Sequence, residues 1–185
     1  ATSSESWKMN DYSYFQPKFD LLGRRNIDMV FPLRNEFQIE NFLLNKKIDF
    51  LGDNHYLFRW EKRISSEDIN NLLIQNKISK NKKKISNIRV ADRGISGRVT
   101  KLEIIMNKSS SPILLVKDDI RRYLRFLPSN LFIIDKLNDN FWIFKGGGFG
   151  HGVGLSQSGA IEMAKLGFNY EDILRHYYSK IKIKN

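Results

Sequence analysis

Apolar and polar positions change their rhythm several times along the 185-residue chain, and each change marks an element. Residues 86–92 and 98–106 alternate as strands do, with Gly94-Ile95-Ser96-Gly97 between them, which predicts a hairpin with a glycine-bearing turn. Residues 131–135 and 140–145 predict a second hairpin around Asn138-Asp139-Asn140, and Pro112–Val116 is a further short apolar run. His55–Trp60 also alternates and reads as a strand. Helical spacing begins after Ser65-Ser66-Glu67-Asp68, a hydroxyl cap followed by acids. Ile69, Leu72 and Leu73 then predict a helix over about 66–76. Asp118-Asp119 start another through Leu124.

The last forty residues carry the clearest pattern. Ser156–Leu166 reads as a helix stopped by Gly167. Asn169 caps a second, with Tyr170, Ile173, Leu174, Tyr177 and Tyr178 at i, i+3, i+4, i+7, i+8, which predicts one buried face. Tyr177 and Tyr178 are therefore expected in the core rather than in a site. Residues 1–20 show no clean period and are expected to be irregular. In 21–53 only Phe37, Ile39, Phe42, Leu43 and Leu44 suggest a short helix. No internal repeat is evident. The expected class is α+β: antiparallel hairpins with several short helices, one domain over 1–185, ending in a helix–turn–helix pair.

Composition narrows this modestly. A hydrophobic fraction of 41% and an aromatic fraction of 12% exclude a disordered chain. The net charge of +11 fits a polyanionic surrounding, whether nucleic acid, anionic lipid or an anionic cell wall. There is no cysteine, and His55, His151 and His176 are too few for a structural zinc site, so neither metal nor cofactor is expected. No apolar run approaches the ~18 residues of a membrane span. The sequence opens on Ala1 without Met, which reads as a fragment or a processed form, so targeting information and a membrane anchor are compatible with an upstream segment. The lysine cluster at 77–84 (KISKNKKK) reads as a solvated loop.

Gly146-Gly147-Gly148-Phe149-Gly150-His151-Gly152-Val153-Gly154 concentrates the candidate chemistry. Glycine costs backbone entropy, so such density implies left-handed backbone or close approach of a ligand. Beside a helix start this suits a polar ligand or an anion, and His151 adds a group able to donate, accept or carry a proton. Ser156 and Gln157 add hydrogen-bonding side chains. The plainer reading is a structural loop with His151 satisfied in the core. Familiar templates fail. The dinucleotide fingerprint finds Val153 or Leu155 at its sixth position, and a nucleophile elbow on Ser156 finds Ser158 where glycine is needed. No P-loop occurs. A DNA-binding helix–turn–helix is disfavoured because Glu171 and Asp172 would face phosphates, so nucleic acid is not an expected partner.

Gly150-His151-Gly152-Val153-Gly154-Leu155-Ser156-Gln157, followed by Gly159-Ala160, Met163-Ala164, Gly167, Tyr170, Ile173-Leu174 and His176-Tyr177-Tyr178, resembles the closing motif of the stage II sporulation protein D (amidase-enhancer) domain. Ser96-Gly97-Arg98-Val99, then Arg121 or Arg122, Leu127, Ser129 and Phe132, are similar to upstream parts of that domain. So are Trp60, Ser65–Leu72, Thr2, Trp7, Tyr14 and Asp20. The likeness is weakest over 21–53, expected to be an insertion, and Ser158 stands where that family often has an aromatic residue.

The resemblance implies a peptidoglycan-acting protein of the cell envelope, outside the cytoplasm. It would be a lytic transglycosylase cutting glycan strands, or a non-catalytic wall-binding module or amidase enhancer with a wall amidase as partner. The family's catalytic glutamate, and metal-linked residues of some members, are expected upstream of Ala1, so no catalytic residue is assigned within the chain. His151 and Gln157 are expected to support catalysis, and Gly150, His151, Gly152, Gly154, Ser156, Gln157, Arg98 and Arg121 to hold substrate.

Overall fold

The computed structural model describes residues 1–7, 9–22, 31–44, 49–107 and 111–184. In chain order the elements are α1 (Ser3–Ser6), α2 (Glu36–Leu44), β1 (Arg59–Ser65), α3 (Ser66–Gln75), β2 (Ile85–Arg93), β3 (Val99–Met106), β4 (Ile113–Val116), α4 (Asp118–Tyr123), β5 (Phe132–Lys136), β6 (Phe141–Gly147), α5 (Gln157–Lys165) and α6 (Tyr170–Tyr177). The strands pair antiparallel into two three-stranded sheets, ordered β1-β6-β5 and β2-β3-β4. The class is α+β. Among the described residues no helix is long and apolar enough to cross a membrane, and no group of side chains could hold a metal ion.

Period-two alternation places the main core between the sheets. Trp142, Phe144 and Gly146 of β6 are buried, while Phe141, Ile143 and Lys145 are half-exposed. Trp60, Phe132 and Phe144 from one sheet join Ile88, Val99, Leu102 and Ile104 from the other, closed by Ile69 and Leu73 of α3 and Ile120 of α4. The cap of α3 is the expected one: Ser65 Oγ accepts from the Asp68 amide at 3.0 Å.

The region 31–44 forms a second cluster, with Leu33, Ile39 and Leu43 packed on Leu131 and Ile133. Two arginines fasten it. Buried Arg93 reaches both Glu36 carboxylate oxygens at 2.7 and 2.8 Å and also donates to the carbonyls of Gly97 and Phe132. Arg59 lies 4.1 Å from the Phe58 ring centroid and donates to the Phe42 and Leu43 carbonyls at the end of α2. Burial pulls the Arg59 pKa down to about 10.

Three expectations shift. The strand expected over His55–Trp60 starts only at Arg59. His55–Phe58 is a run of turns in which the His55 and Tyr56 rings stack at 4.8 Å. β1 is the edge of its sheet, so its exposed, charged stretch Glu61-Lys62-Arg63 is tolerated and hides the strand from a hydrophobic pattern. Within 1–20, Thr2 and Glu5 form a capping box around the single turn of α1. On α6 only Tyr177 is buried; Ile173, Leu174 and Tyr178 are half-covered, and Tyr170 is exposed.

Candidate functional site

The glycine loop leaves the end of β6 and is tied down on both sides. The Trp60 indole lies across Gly146, where any Cβ would overlap it, and its Nε1 donates to the Gly148 carbonyl at 3.0 Å. Ser129 Oγ donates to the Gly147 carbonyl at 2.7 Å. The Gly148 amide donates to the Phe58 carbonyl, and the Gly150 amide to the Pro128 carbonyl. At Gly152, φ is +71°, and the Arg98 guanidinium occupies the space a Cβ would need. The density of glycines thus reflects left-handed backbone and, at Gly152, close approach of a cation.

The N-terminal segment forms the other side. The Ala1 nitrogen donates to the Gly152 carbonyl at 2.9 Å, Ser6 Oγ donates to the His151 carbonyl at 3.1 Å, and the Trp7 ring lies 4.9 Å from the His151 ring. The buried Glu5 carboxylate accepts from the amides of Thr2 and Ser96 at 2.6 and 2.8 Å and from Ser96 Oγ at 2.9 Å. Its oxygens are consumed in fastening α1 to the β2–β3 turn, where Gly94 leaves room for it. Glu5 therefore holds the wall of the site rather than serving as a proton donor.

His151 is exposed, and its state follows from its bonds. Its Nδ1 accepts from the Val153 amide at 3.0 Å, so the neutral ring carries its proton on Nε2 and offers a donor outward. Burial of part of the ring, then the charges of Arg121 and Arg98, hold its pKa below the ordinary value, with Asp118 pulling the other way. Arg98 and Arg121 each bury an Nε that has no protein partner. Arg121 also pairs loosely with Asp118 at 3.6 Å, while burial, partly offset by Glu5, holds the Arg98 pKa below its usual value. Cations of this kind, beside an exposed Nε2–H and an indole, suit a ligand with a carboxylate and a flat partly apolar body.

The residues expected to form one site divide into two groups. Gly150, His151, Gly152, Arg98 and Arg121 converge with Trp7. Ser156 caps α5, its Oγ accepting from the Gly159 amide at 3.3 Å, and belongs with a different cluster. There Asp20 accepts from His176 Nε2 and Tyr177 Oη, each at 3.0 Å, over Gly159, where a Cβ would meet both the phenol and the carboxylate. Burial, then Asp20, pushes the Tyr177 phenol pKa far up. Gly154 lies between the groups, against Tyr178 and Phe15, and Gln157 is exposed at the first position of α5. The site roles of Glu5 and Trp7 were not drawn from sequence; the Thr2-x-x-Glu5 capping-box spacing was the available signal for the first.

Comparison with known proteins adds three matches. The model of a family described as a domain of unknown function, DUF8618, matches residues 1–154. An uncharacterised protein of Brachyspira hyodysenteriae is 35% identical over 126 residues, a match covering 67% of this chain and 32% of that protein. Stage II sporulation protein D of Bacillus amyloliquefaciens is 56% identical over 36 residues, covering 20% of this chain and 10% of that protein. The matches thus take in about a third of the first relative's length and about a tenth of the second's.

Proposed function

The chain belongs to the DUF8618 family, and from that premise we propose that it forms the substrate-holding half of a peptidoglycan-acting domain in the cell envelope. The observation that carries the reading is the convergence of the Trp7–His151 pair with Arg98 and Arg121 around one glycine loop. A glycan strand of the wall has what these groups ask for: pyranose rings with apolar faces, hydroxyl and acetamido oxygens to accept from His151 Nε2–H, and lactyl carboxylates for the guanidiniums. The short likeness to a stage II sporulation protein D supports the same direction. Residues 21–53 would be an addition to that domain, and Ser156 and Gln157 would contact the strand beyond the glycine loop, at the start of α5.

Cutting the strand needs a carboxylic acid to protonate the glycosidic oxygen as its bond to the anomeric carbon breaks, and the carboxylate so formed then takes the proton of the muramyl 6-hydroxyl as that oxygen closes on the anomeric carbon. The resemblance to the stage II sporulation protein D domain implies that this acid lies upstream of Ala1, and Glu5, whose oxygens are bonded to Thr2 and Ser96, is not assigned that role. The test is mass spectrometry of purified glycan strands after incubation with the longer protein and with this chain, alongside sedimentation of each with peptidoglycan. Anhydro-muramyl product from the longer protein alone is the expected result for a lytic transglycosylase. Sedimentation without product from either would place the chain as a wall-binding or amidase-enhancing module. Failure of this chain to sediment with peptidoglycan would sink the reading altogether.

A further inference from the structure

We propose that Phe149 is a stacking platform for the apolar face of a neutral pyranose, an N-acetylhexosamine ring of the strand. The proposal rests on the wall-glycan reading and deepens it by adding a residue that acts on uncharged sugar. Phe149 is 71% exposed at the tip of the glycine loop. A single exposed Phe is unremarkable by itself; its mounting is what singles it out.

The flanking Gly148 and Gly150 have φ of +75° and +86°, and a Cβ at either would meet nothing within 4 Å. Packing therefore does not explain those two glycines. They set the backbone so that the ring projects, and they leave it without side-chain neighbours in sequence. The peptide on each side is fixed, since Trp60 Nε1 and the Gly148 amide hold one flank and Gly150 is bonded to Pro128 and bridged to Ser129 on the other. A ring on such a mount has its backbone ordered before any ligand arrives, which removes one cost of binding.

Size selects the occupant. One exposed phenyl ring offers roughly 150 Å² of apolar surface. A stable protein interface buries about 1,200 Å² or more in total, and even an ordinary monomer's largest apolar patch is about 300–600 Å². The CH-rich face of one pyranose matches a ring of this area. His151, two residues along the loop, offers a donor to the polar edge of a sugar, and Arg98 and Arg121 serve the carboxylates. Phe149 would then carry recognition of sugar that has no charge.

Two probes separate these contributions: a neutral N-acetylglucosamine tetramer, and purified peptidoglycan glycan strands bearing lactyl carboxylates. Affinities would be measured by calorimetry for the wild type, Phe149→Ala, Phe149→Trp and Arg121→Gln. Phe149→Ala is expected to weaken both probes about tenfold, equivalent to about 1.4 kcal/mol. Phe149→Trp should retain both and show a blue shift of tryptophan emission on binding. Arg121→Gln should weaken only the carboxylate-bearing strands. If Phe149→Ala binds both probes like the wild type, or Phe149→Trp is as weak as Phe149→Ala, the stacking role is wrong and the wall-glycan reading stands. If the wild type binds neither probe, both fall together.

Discussion

Gly150 and Gly152 share a left-handed backbone but differ in surroundings, which makes them a matched pair. Alanine at Gly150 meets only the conformational penalty and should cost about 1 kcal/mol. Alanine at Gly152 must also displace the Arg98 guanidinium and should cost about 2–4 kcal/mol. Urea denaturation of the two variants measures the difference; equal losses would mean that Arg98 is not held in place. A second prediction concerns His151, whose folded pKa is depressed by burial, Arg121 and Arg98. The neutral ring is thus favoured in the folded state. Its contribution to stability is fully present above the unfolded value of about 6.5 and is lost as pH falls through the lower folded value. An NMR titration of the ring should give a midpoint below about 6.5, and Arg121→Gln should move it upward; an unmoved midpoint would remove Arg121 from its surroundings. The glycine loop and His151 were legible in the sequence because glycine density has few physical explanations. The state of the ring was not, because it depends on the Val153 amide and on Trp7, which arrives from the far end of the chain.

Helix α6 is held by one carboxylate as well as by its apolar stripe. Asp20 accepts from both His176 and Tyr177, and Tyr170, which opens the stripe, is exposed. Asp20→Ala leaves a half-buried imidazole and the phenol of buried Tyr177 without partners and should destabilise by about 1–3 kcal/mol. Hydrogen exchange should localise the loss to the amides of 170–177, whereas an unchanged exchange pattern would show that packing alone retains the helix. Most elements could be read from their periodicity because each has a buried face: the β2–β3 and β5–β6 hairpins and helices α3, α4 and α5 lie within a residue or two of expectation. β1 was displaced because an edge strand tolerates charge on both faces, and α1 was missed because one helical turn has no period to detect. The expected buried stripe on α6 is met in part: Tyr177 is buried and Ile173 and Tyr178 pack with Leu51 and Met163, while Tyr170 is exposed, because helical spacing reports which positions share a face, not how much of that face is covered.

At the scale of the molecule, the pairing that builds the site is long-range. β1 joins β6 from Arg59 opposite Gly147 to Ser65 opposite Phe141, and the N-terminal segment closes on the glycine loop; neither register is written in local pattern. The net charge of +11 could be read at once but not located. Part of it is already answered on the surface, where Lys82 meets Glu67 and both Lys84 and Lys136 meet Asp139. Exposed pairs of this kind contribute little, and their fields are screened within a Debye length of about 10 Å at 0.1 M salt. Arg98 and Arg121, with their buried Nε atoms, are screened less, but a carboxylate approaching them from solvent is steered by the whole field. Two contributions should therefore separate with ionic strength. Raising salt from 0.1 M, where the Debye length is about 10 Å, to 1 M, where it is about 3 Å, should weaken binding of carboxylate-bearing glycan strands roughly tenfold. Binding of a neutral N-acetylglucosamine oligomer should scarcely change, since stacking and hydrogen bonds carry it. In Arg121→Gln the salt dependence for the charged strands should flatten while the neutral oligomer is unaffected. A salt slope unchanged by Arg121→Gln would assign the attraction to the diffuse surface lysines, and the two arginines would then have no special part in holding the strand.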